Sequence, residues 1–132
     1  MIFTMTETLS QANDVLTTSL TLTADAKDVW GDSNTPVNLP ASTTTTLGVT
    51  SNPTTVVAYY VLASVGCTLT TANSTGAPDI ITLTANQPLV WHNKMQLAKH
   101  FANNNPWTSW AFNNAGTVAG TVRIMIARTG TP

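Results

Sequence analysis

The side chains that could support catalysis are few and widely spaced in this sequence. Acid–base and nucleophilic catalysis need ionisable groups with displaced pKa values, or a nucleophile beside a base. The chain has one glutamate, Glu7, and one cysteine, Cys67. Its aspartates fall mostly in turn-like sequence, where Asp commonly bonds its own backbone; they are Asp14, Asp25, Asp28, Asp32 and Asp79. No phosphate-binding loop, Gly-x-Ser-x-Gly or Cys-x-x-Cys motif is present, so we predict no enzyme and no catalytic residue.

Residues that could bind a metal ion are also few. His92 and His100 flank a predicted helix, but no third His, Cys or Glu follows at a ligand spacing. Asp25, Asp28 and Asp32 lack the EF-hand spacing and its closing glutamate. We therefore predict no metal and no cofactor.

Cys67 has no cysteine partner in the chain, so it cannot form an internal disulfide. Its neighbours Val65, Gly66 and Leu69 indicate a small buried apolar residue.

Charge is the unusual property of this composition. Charged residues make up 8% of the 132 residues, where soluble domains average about 25%. The formal net charge of −1 excludes the basic stripe that nucleic-acid binding needs. Threonine, about a fifth of the chain, takes over the polar role. Composition leaves two interpretations open: a surface that associates with other proteins, or a neutral secreted β domain.

The sequence also predicts no targeting or membrane segment. Residues 1–9 contain Glu7 and lack the basic and apolar regions of a signal peptide. The longest apolar run, Val56 to Val65, is too short to span a bilayer. We expect a protein made in a cytoplasm, with no membrane partner.

Short alternating segments predict one all-β domain over residues 1–132, an antiparallel β-sandwich or jelly roll with one short helix. Thr54 to Val65 is the predicted central strand, with one face on the second sheet and the other expected to meet a neighbouring subunit. Ala41 to Thr50 is expected to be an edge strand, and Asp25 to Trp30 a helical turn or a strand. The helix is predicted over Asn93 to Asn103.

The end of the chain, Trp107 to Ala127, predicts a hairpin turning at Asn113 to Gly116. Four residues are assigned to its inner face, Val118, Val122, Ile124 and Ile126. The outer face is assigned Thr117, Thr121 and Met125, with Arg123 as its one charged residue.

Trp107 and Trp110 are three positions apart, so a regular strand points them to opposite faces. With Trp110 and Phe112 inward, Trp107 is left outside, beside Asn104 and Asn105. Three interpretations of Trp107 stay open: a sugar platform, an anchor in a subunit contact, or an indole buried by its own loop.

Residues from Asp79 to Arg128 resemble small accessory capsid proteins of tailed bacteriophages. The resemblance rests on ITLTANQPLVW, NNNPWTSWAF and AGTVAGTVRIMIA, within about two-fifths of the chain. It implies a virion structural protein, a decoration or cement protein on the capsid exterior that binds the major capsid protein and self-associates as a dimer or trimer. The expected interface residues are Trp107, Asn104, Asn105, Thr117, Thr121 and Met125. A phage fibre or tail protein, or a glycan-binding receptor-recognition module, is the alternative.

Overall fold

A computed structural model describes residues 1–11, 13–32 and 34–130. Eleven strands are formed by these residues: β1 (Ile2–Gln11), β2 (Asp14–Thr23), β3 (Ala26–Trp30), β4 (Val37–Leu39), β5 (Thr43–Leu47), β6 (Val56–Ala63), β7 (Cys67–Asn73), β8 (Ile80–Leu83), β9 (Leu89–His92), β10 (Trp107–Asn114) and β11 (Gly120–Arg128). One 3₁₀ turn, Pro53–Thr55, precedes β6. The predicted all-β, antiparallel, sandwich-like fold is confirmed.

The strands form two packed sheets and a separate hairpin. The four-stranded sheet has the order β5-β10-β7-β8, and the five-stranded sheet has the order β3-β11-β6-β9, with β4 also paired to β11. The third sheet is the β1–β2 hairpin alone. As predicted, β6 is central, between β11 and β9, and β5 lies at an edge. The segment left open between helix and strand is β3.

Period-2 alternation creates the core between the two sheets. On β11, Val122, Ile124 and Ile126 point inward and are at most 1% exposed. The centre of the core is aromatic: Phe101 has ring centroids 5.0 Å from Trp107 and 5.1 Å from Trp110. Tyr59 joins it at 5.1 Å from Phe101. Such pairs contribute roughly 0.5–1.5 kcal/mol each beyond their buried area, so this cluster links both sheets.

The predicted hairpin over Trp107 to Ala127 is wrong, because its two arms belong to different sheets. β10 pairs with β5 and β7, whereas β11 pairs with β3, β4 and β6. The buried Asn114 side chain shapes the crossing: its amide donates to the carbonyls of Leu39 and Val118, and its oxygen accepts the Gly116 N–H. Val118, assigned to the inner face, lies in this connection and is 67% exposed. Turn-forming residues serve a crossover as well as a hairpin, so local sequence could not separate the two.

The predicted helix over Asn93 to Asn103 is also wrong. Residues 93–97 form turns and bends, and residues 98–104 have no regular structure apart from a bend at residue 100. Tertiary contacts take the backbone groups that a helix would use: the Asp79 carboxylate accepts the N–H groups of Ala102 and Asn103. Phe101 enters the core at 2% exposure. A two-turn helix is marginal on its own, so these contacts prevail over its periodicity.

No helix in residues 1–11, 13–32 and 34–130 is long and apolar enough to cross a membrane.

Candidate interaction surface

The base of the β1–β2 hairpin packs on the outer face of the five-stranded sheet. A small apolar cluster separate from the main core joins them: Leu22, Ala24, Val57, Ala58 and Ala127, with Phe3 and Met5 half-buried against it. Within the hairpin, Phe3 and Met5 alternate with exposed threonines, so β1 turns one apolar row toward the sheet. This packing covers one end of that sheet face.

Polar contacts reinforce the same attachment. Lys94 Nζ donates to the Thr21 carbonyl at 2.6 Å, beside the β2 edge of the hairpin. Glu7 Oε1 lies 3.5 Å from His92 Nε2, at the outer limit of hydrogen bonding. His92 is 1% exposed, and neither of its ring nitrogens has a well-formed hydrogen bond to a described residue.

Beyond the hairpin, the same face carries an exposed row of apolar side chains. Met125 on β11 is the register partner of Val29 on β3 and of Tyr60 on β6, and Tyr60 is the partner of Val90 on β9. Val29 is 43% exposed, Met125 39% and Tyr60 38%. These four residues, the apolar row, therefore run across the full width of the sheet.

A cleft of about 360 Å³ separates the hairpin from the uncovered part of this face. Its lining is mainly apolar and comes from β1, β2, β6 and β11: Phe3, Thr4, Met5, Leu22, Ala58, Tyr59, Tyr60, Arg123, Met125 and Ala127. The hairpin forms one wall, and Tyr60, Met125 and Arg123 belong to the sheet. Arg123 brings the cleft its one charged side chain.

Arg123 is exposed and makes no salt bridge to a residue in the described part of the chain. The positive charge of Arg123 acts on the carboxyl group of Asp32. The pKa of that carboxyl is lowered mainly by the backbone N–H groups of Thr35 and Asn34, with a smaller contribution from Arg123. The guanidinium is thus available to an anionic group in the cleft.

The groups considered for chemistry have structural partners instead. Asp25 accepts the Gly130 N–H, and Asp28 pairs with buried Arg128 at 2.6 Å. The hydrogen bond to Asp28 raises the pKa of Arg128, against the opposing effect of burial. Asp32 and Asp79 cap backbone N–H groups, and the side chain of Asp14 lies outside the described residues.

His100 also has a structural partner, whereas His92 and Cys67 are simply buried. Tyr59 Oη lies 2.6 Å from His100 Nδ1 and accepts the His100 backbone N–H at 3.0 Å. Burial raises the pKa of Tyr59 to about 12. Cys67 is buried, which raises the pKa of its thiol. In the described ranges, no three His, Cys, Asp or Glu side chains group together as a metal site.

The residues predicted for the interface lie in different places. Asn104 and Asn105 are exposed before β10, where the Asn105 amide donates to the Thr75 carbonyl. Thr117 is exposed after β10, roughly 25 Å away along an eight-residue strand. Only Thr121 and Met125 share one face, the outer side of β11, and Thr121 is half-buried against Ser64.

The prediction of Trp107 as an interface residue is wrong, because its side chain is 2% exposed. A β-bulge between Trp107 and Ser109 shifts the register and turns both Trp107 and Trp110 inward, with ring centroids 4.9 Å apart. A single inserted residue therefore reverses the facing that regular alternation predicts. The indole is not available as a sugar platform or a contact anchor.

Sequence reasoning placed Arg123 beside Met125 on the outer row of β11, but it missed Phe3, Val29 and Tyr60 as members of the same surface. The uninterrupted apolar run of β6 was the available signal, and its outer face was expected to meet a neighbour. The hairpin's position over that face depends on packing between distant segments and has no local signature.

The chain matches no protein-family model, no curated protein and no solved structure.

Proposed function

We propose that this chain is a virion structural protein that decorates a capsid: it binds the major capsid shell from outside and stabilises the head. The observation that supports the proposal is the apolar row Val29–Met125–Tyr60–Val90 on a surface with few charges, in which Val90 is half-buried and the other three side chains are exposed. An exposed apolar stripe of this kind marks a contact surface on a soluble protein.

The energetics suit repeated, weakly charged contacts. Each Å² of apolar surface removed from water contributes about 25 cal/mol, before the costs of association are deducted. Multiple linked contacts on one particle raise the overall avidity well above that of a single contact. Attachment should therefore depend little on ionic strength, because few ion pairs contribute to it.

The test is binding of the purified protein to heads that lack a decoration protein, followed by sedimentation and electron microscopy. We expect the protein to cosediment in low and high salt, and the heads to resist heating better when it is bound. Tyr60→Glu should weaken binding at least tenfold by placing a charge in the apolar row. Val118→Glu is the matched control, because Val118 is exposed in the connection after β10.

Release of the wild-type protein by moderate salt alone would contradict the proposal. So would binding to isolated tails or fibres with no binding to heads. The glycan-binding alternative has lost its stacking platform, since Trp107 is buried in the core.

A further inference from the structure

We propose that the cleft beside the hairpin binds an extended segment of a partner protein as an added strand on β1. The inference rests on the proposed function for the kind of partner, and it specifies the segment by which that partner is bound.

The hydrogen bonding of the hairpin fixes which backbone groups of β1 point outward. The Ala24 N–H donates to the Met1 carbonyl, whereas the Thr21 carbonyl turns away from β1 to accept from Lys94. Bonded and non-bonded pairs alternate in an antiparallel ladder, so Thr4, the partner of Thr21, is at a non-bonded pair. The N–H and C=O groups of Ile2, Thr4 and Thr6 therefore point away from β2.

Side-chain contacts agree with that assignment. Non-bonded pairs bring their side chains closer than bonded pairs do. The hydroxyls of Thr6 and Ser19 lie 3.4 Å apart, as do those of Thr8 and Thr17, and both are register partners.

The outward backbone groups of β1 border the cleft. Phe3, Thr4 and Met5 of β1 line it, but only Leu22 of β2 does. Lys94 occupies the opposite edge of the hairpin, at Thr21. A strand added to β1 would thus lie in the cleft, over Tyr60, Met125 and Arg123.

The part of this edge that borders the cleft, Ile2 to Thr6, lacks the usual protection against pairing, and the one charge on β1, Glu7, lies beyond it. Edge strands are commonly blocked by proline, lysine, a bulge or a covering segment. β1 reads IFTMTETLSQ, with no proline or lysine, and its register with β2 runs through ten pairs without a shift. In the described part of the chain β1 pairs with β2 alone. A two-stranded sheet is marginally stable, so a third strand would stabilise the hairpin as well as bind.

The lining defines the chemistry of the occupant. Strand addition obtains affinity from main-chain hydrogen bonds and selectivity from alternate side chains. Tyr60 and Met125 fit apolar residues at alternate positions, and Arg123 fits one carboxylate. A second copy of β1 does not supply that carboxylate, because its one acidic residue, Glu7, faces His92 on its own sheet.

The experiment uses the full chain, labelled with ¹⁵N, and a capped peptide of about eight residues. The peptide alternates valine and threonine and carries one aspartate, and a second peptide carries lysine in that place. We expect amide exchange at Ile2, Thr4 and Thr6 to slow at least tenfold with the aspartate peptide. Exchange at Phe3 and Met5, whose N–H groups already bond to β2, should slow only as far as the added strand stabilises the hairpin against opening.

Two variants with matched chemistry locate the binding edge. Thr4→Pro removes an outward N–H without removing a bond of the hairpin, and it should abolish peptide binding. Ser19→Pro removes an outward N–H from the β2 edge and should leave binding intact. Arg123→Gln, which leaves the hairpin untouched, should weaken binding of the aspartate peptide by about threefold to fivefold and should not weaken binding of the lysine peptide.

Three results would overturn the inference. The first is that amide exchange at Thr4 does not slow at about 1 mM peptide, a concentration that matches the weakest binding we count as specific. The second is that exchange at Ile2 and Thr6 still slows with the peptide in the Thr4→Pro variant. The third is a dimer in light scattering that Thr4→Pro dissolves, which would assign the cleft to a second copy. None of these assays uses capsids, so failure here is distinguishable from failure to bind heads.

Discussion

The sandwich and the β1–β2 hairpin use similar threonine-alternating strands but are stabilised very differently. Trp110, Phe112 and Leu69 in the sandwich are 0% exposed, whereas Ile2 and Val15 in the hairpin are 70% and 64% exposed. Both regions pair antiparallel, the hairpin through ten pairs without a shift and the β10–β7 pair of the sandwich with a bulge at Trp107. Backbone hydrogen bonds contribute modestly in net terms, so the difference in stability comes from the apolar area each region buries.

The attachments differ in the same sense. The last strand of the sandwich is held by the ion pair of Arg128 with Asp28, in which Arg128 is 4% exposed. The hairpin is held by one small apolar cluster and a lysine bond to a backbone carbonyl. We infer that the hairpin detaches before the sandwich unfolds, as low-stability regions do in native proteins.

The largest expected effect is in the sandwich, where Trp110 packs against Phe101 and Trp107. Trp110→Ala should lower the free energy of unfolding by about 3–5 kcal/mol, because the cavity lies between both sheets. Urea unfolding followed by circular dichroism measures this loss. Trp110→Phe is the control and should cost less, since it keeps an aromatic ring and removes an indole N–H that bonds to no described residue. A loss below about 1 kcal/mol for the alanine variant would show that the cluster is not the main source of stability.

The second effect belongs to the hairpin. Leu22 is 1% exposed in the small cluster, and Leu22→Ala should lower the local stability of the hairpin by about 2 kcal/mol. Amide exchange at Phe3 and Met5 should then accelerate, while exchange in β10 and β11 stays unchanged. Thr23→Ala, at an exposed position of the same strand, is the control. Equal acceleration in both regions would mean that the hairpin and the sandwich unfold together.

The smallest expected effect is the loss of sandwich stability at low pH that follows from protonation of His100. Partial burial lowers the pKa of His100 below its ordinary 6.5, so the unfolded chain binds this proton more readily. Stability is therefore full above about pH 6.5 and falls as the pH drops below it. The loss should be small, because His100 is exposed to solvent and its protonated Nδ1 can still donate to Tyr59 Oη.

Urea unfolding at a series of pH values measures the acid response, and His100→Gln should flatten it. An unchanged slope in that variant would assign the response to other groups.

Local alternation was sufficient to identify most strands. β6 and β5 lie within the strands predicted over Thr54 to Val65 and Ala41 to Thr50. The predictions for Val122, Ile124, Ile126, Trp110 and Phe112 were also correct, since inward facing follows directly from period 2 on a regular strand. The candidate surface was anticipated only through Met125, Thr121 and the outer face of β6.

The failures share a physical cause. Three features depend on contacts between residues far apart in sequence: the bulge at Trp107, the crossing at Asn114 and the non-helical segment around Phe101. A local pattern carries no information about which distant strand supplies the partner. The prediction from regular periodicity was therefore wrong wherever a tertiary contact stabilised the chain more than the local backbone preference did.

The sequence by itself determined an all-β chain, a low surface charge and a core rich in aromatic residues, because composition and alternation set these properties locally. The tertiary structure decided which sheet each strand joins, which indole is buried and where the hairpin lies. It also placed Tyr60, Met125 and Arg123 beneath the open edge of β1. Those positions follow from the packing of segments more than fifty residues apart, which minimises exposed apolar area for the whole chain at once.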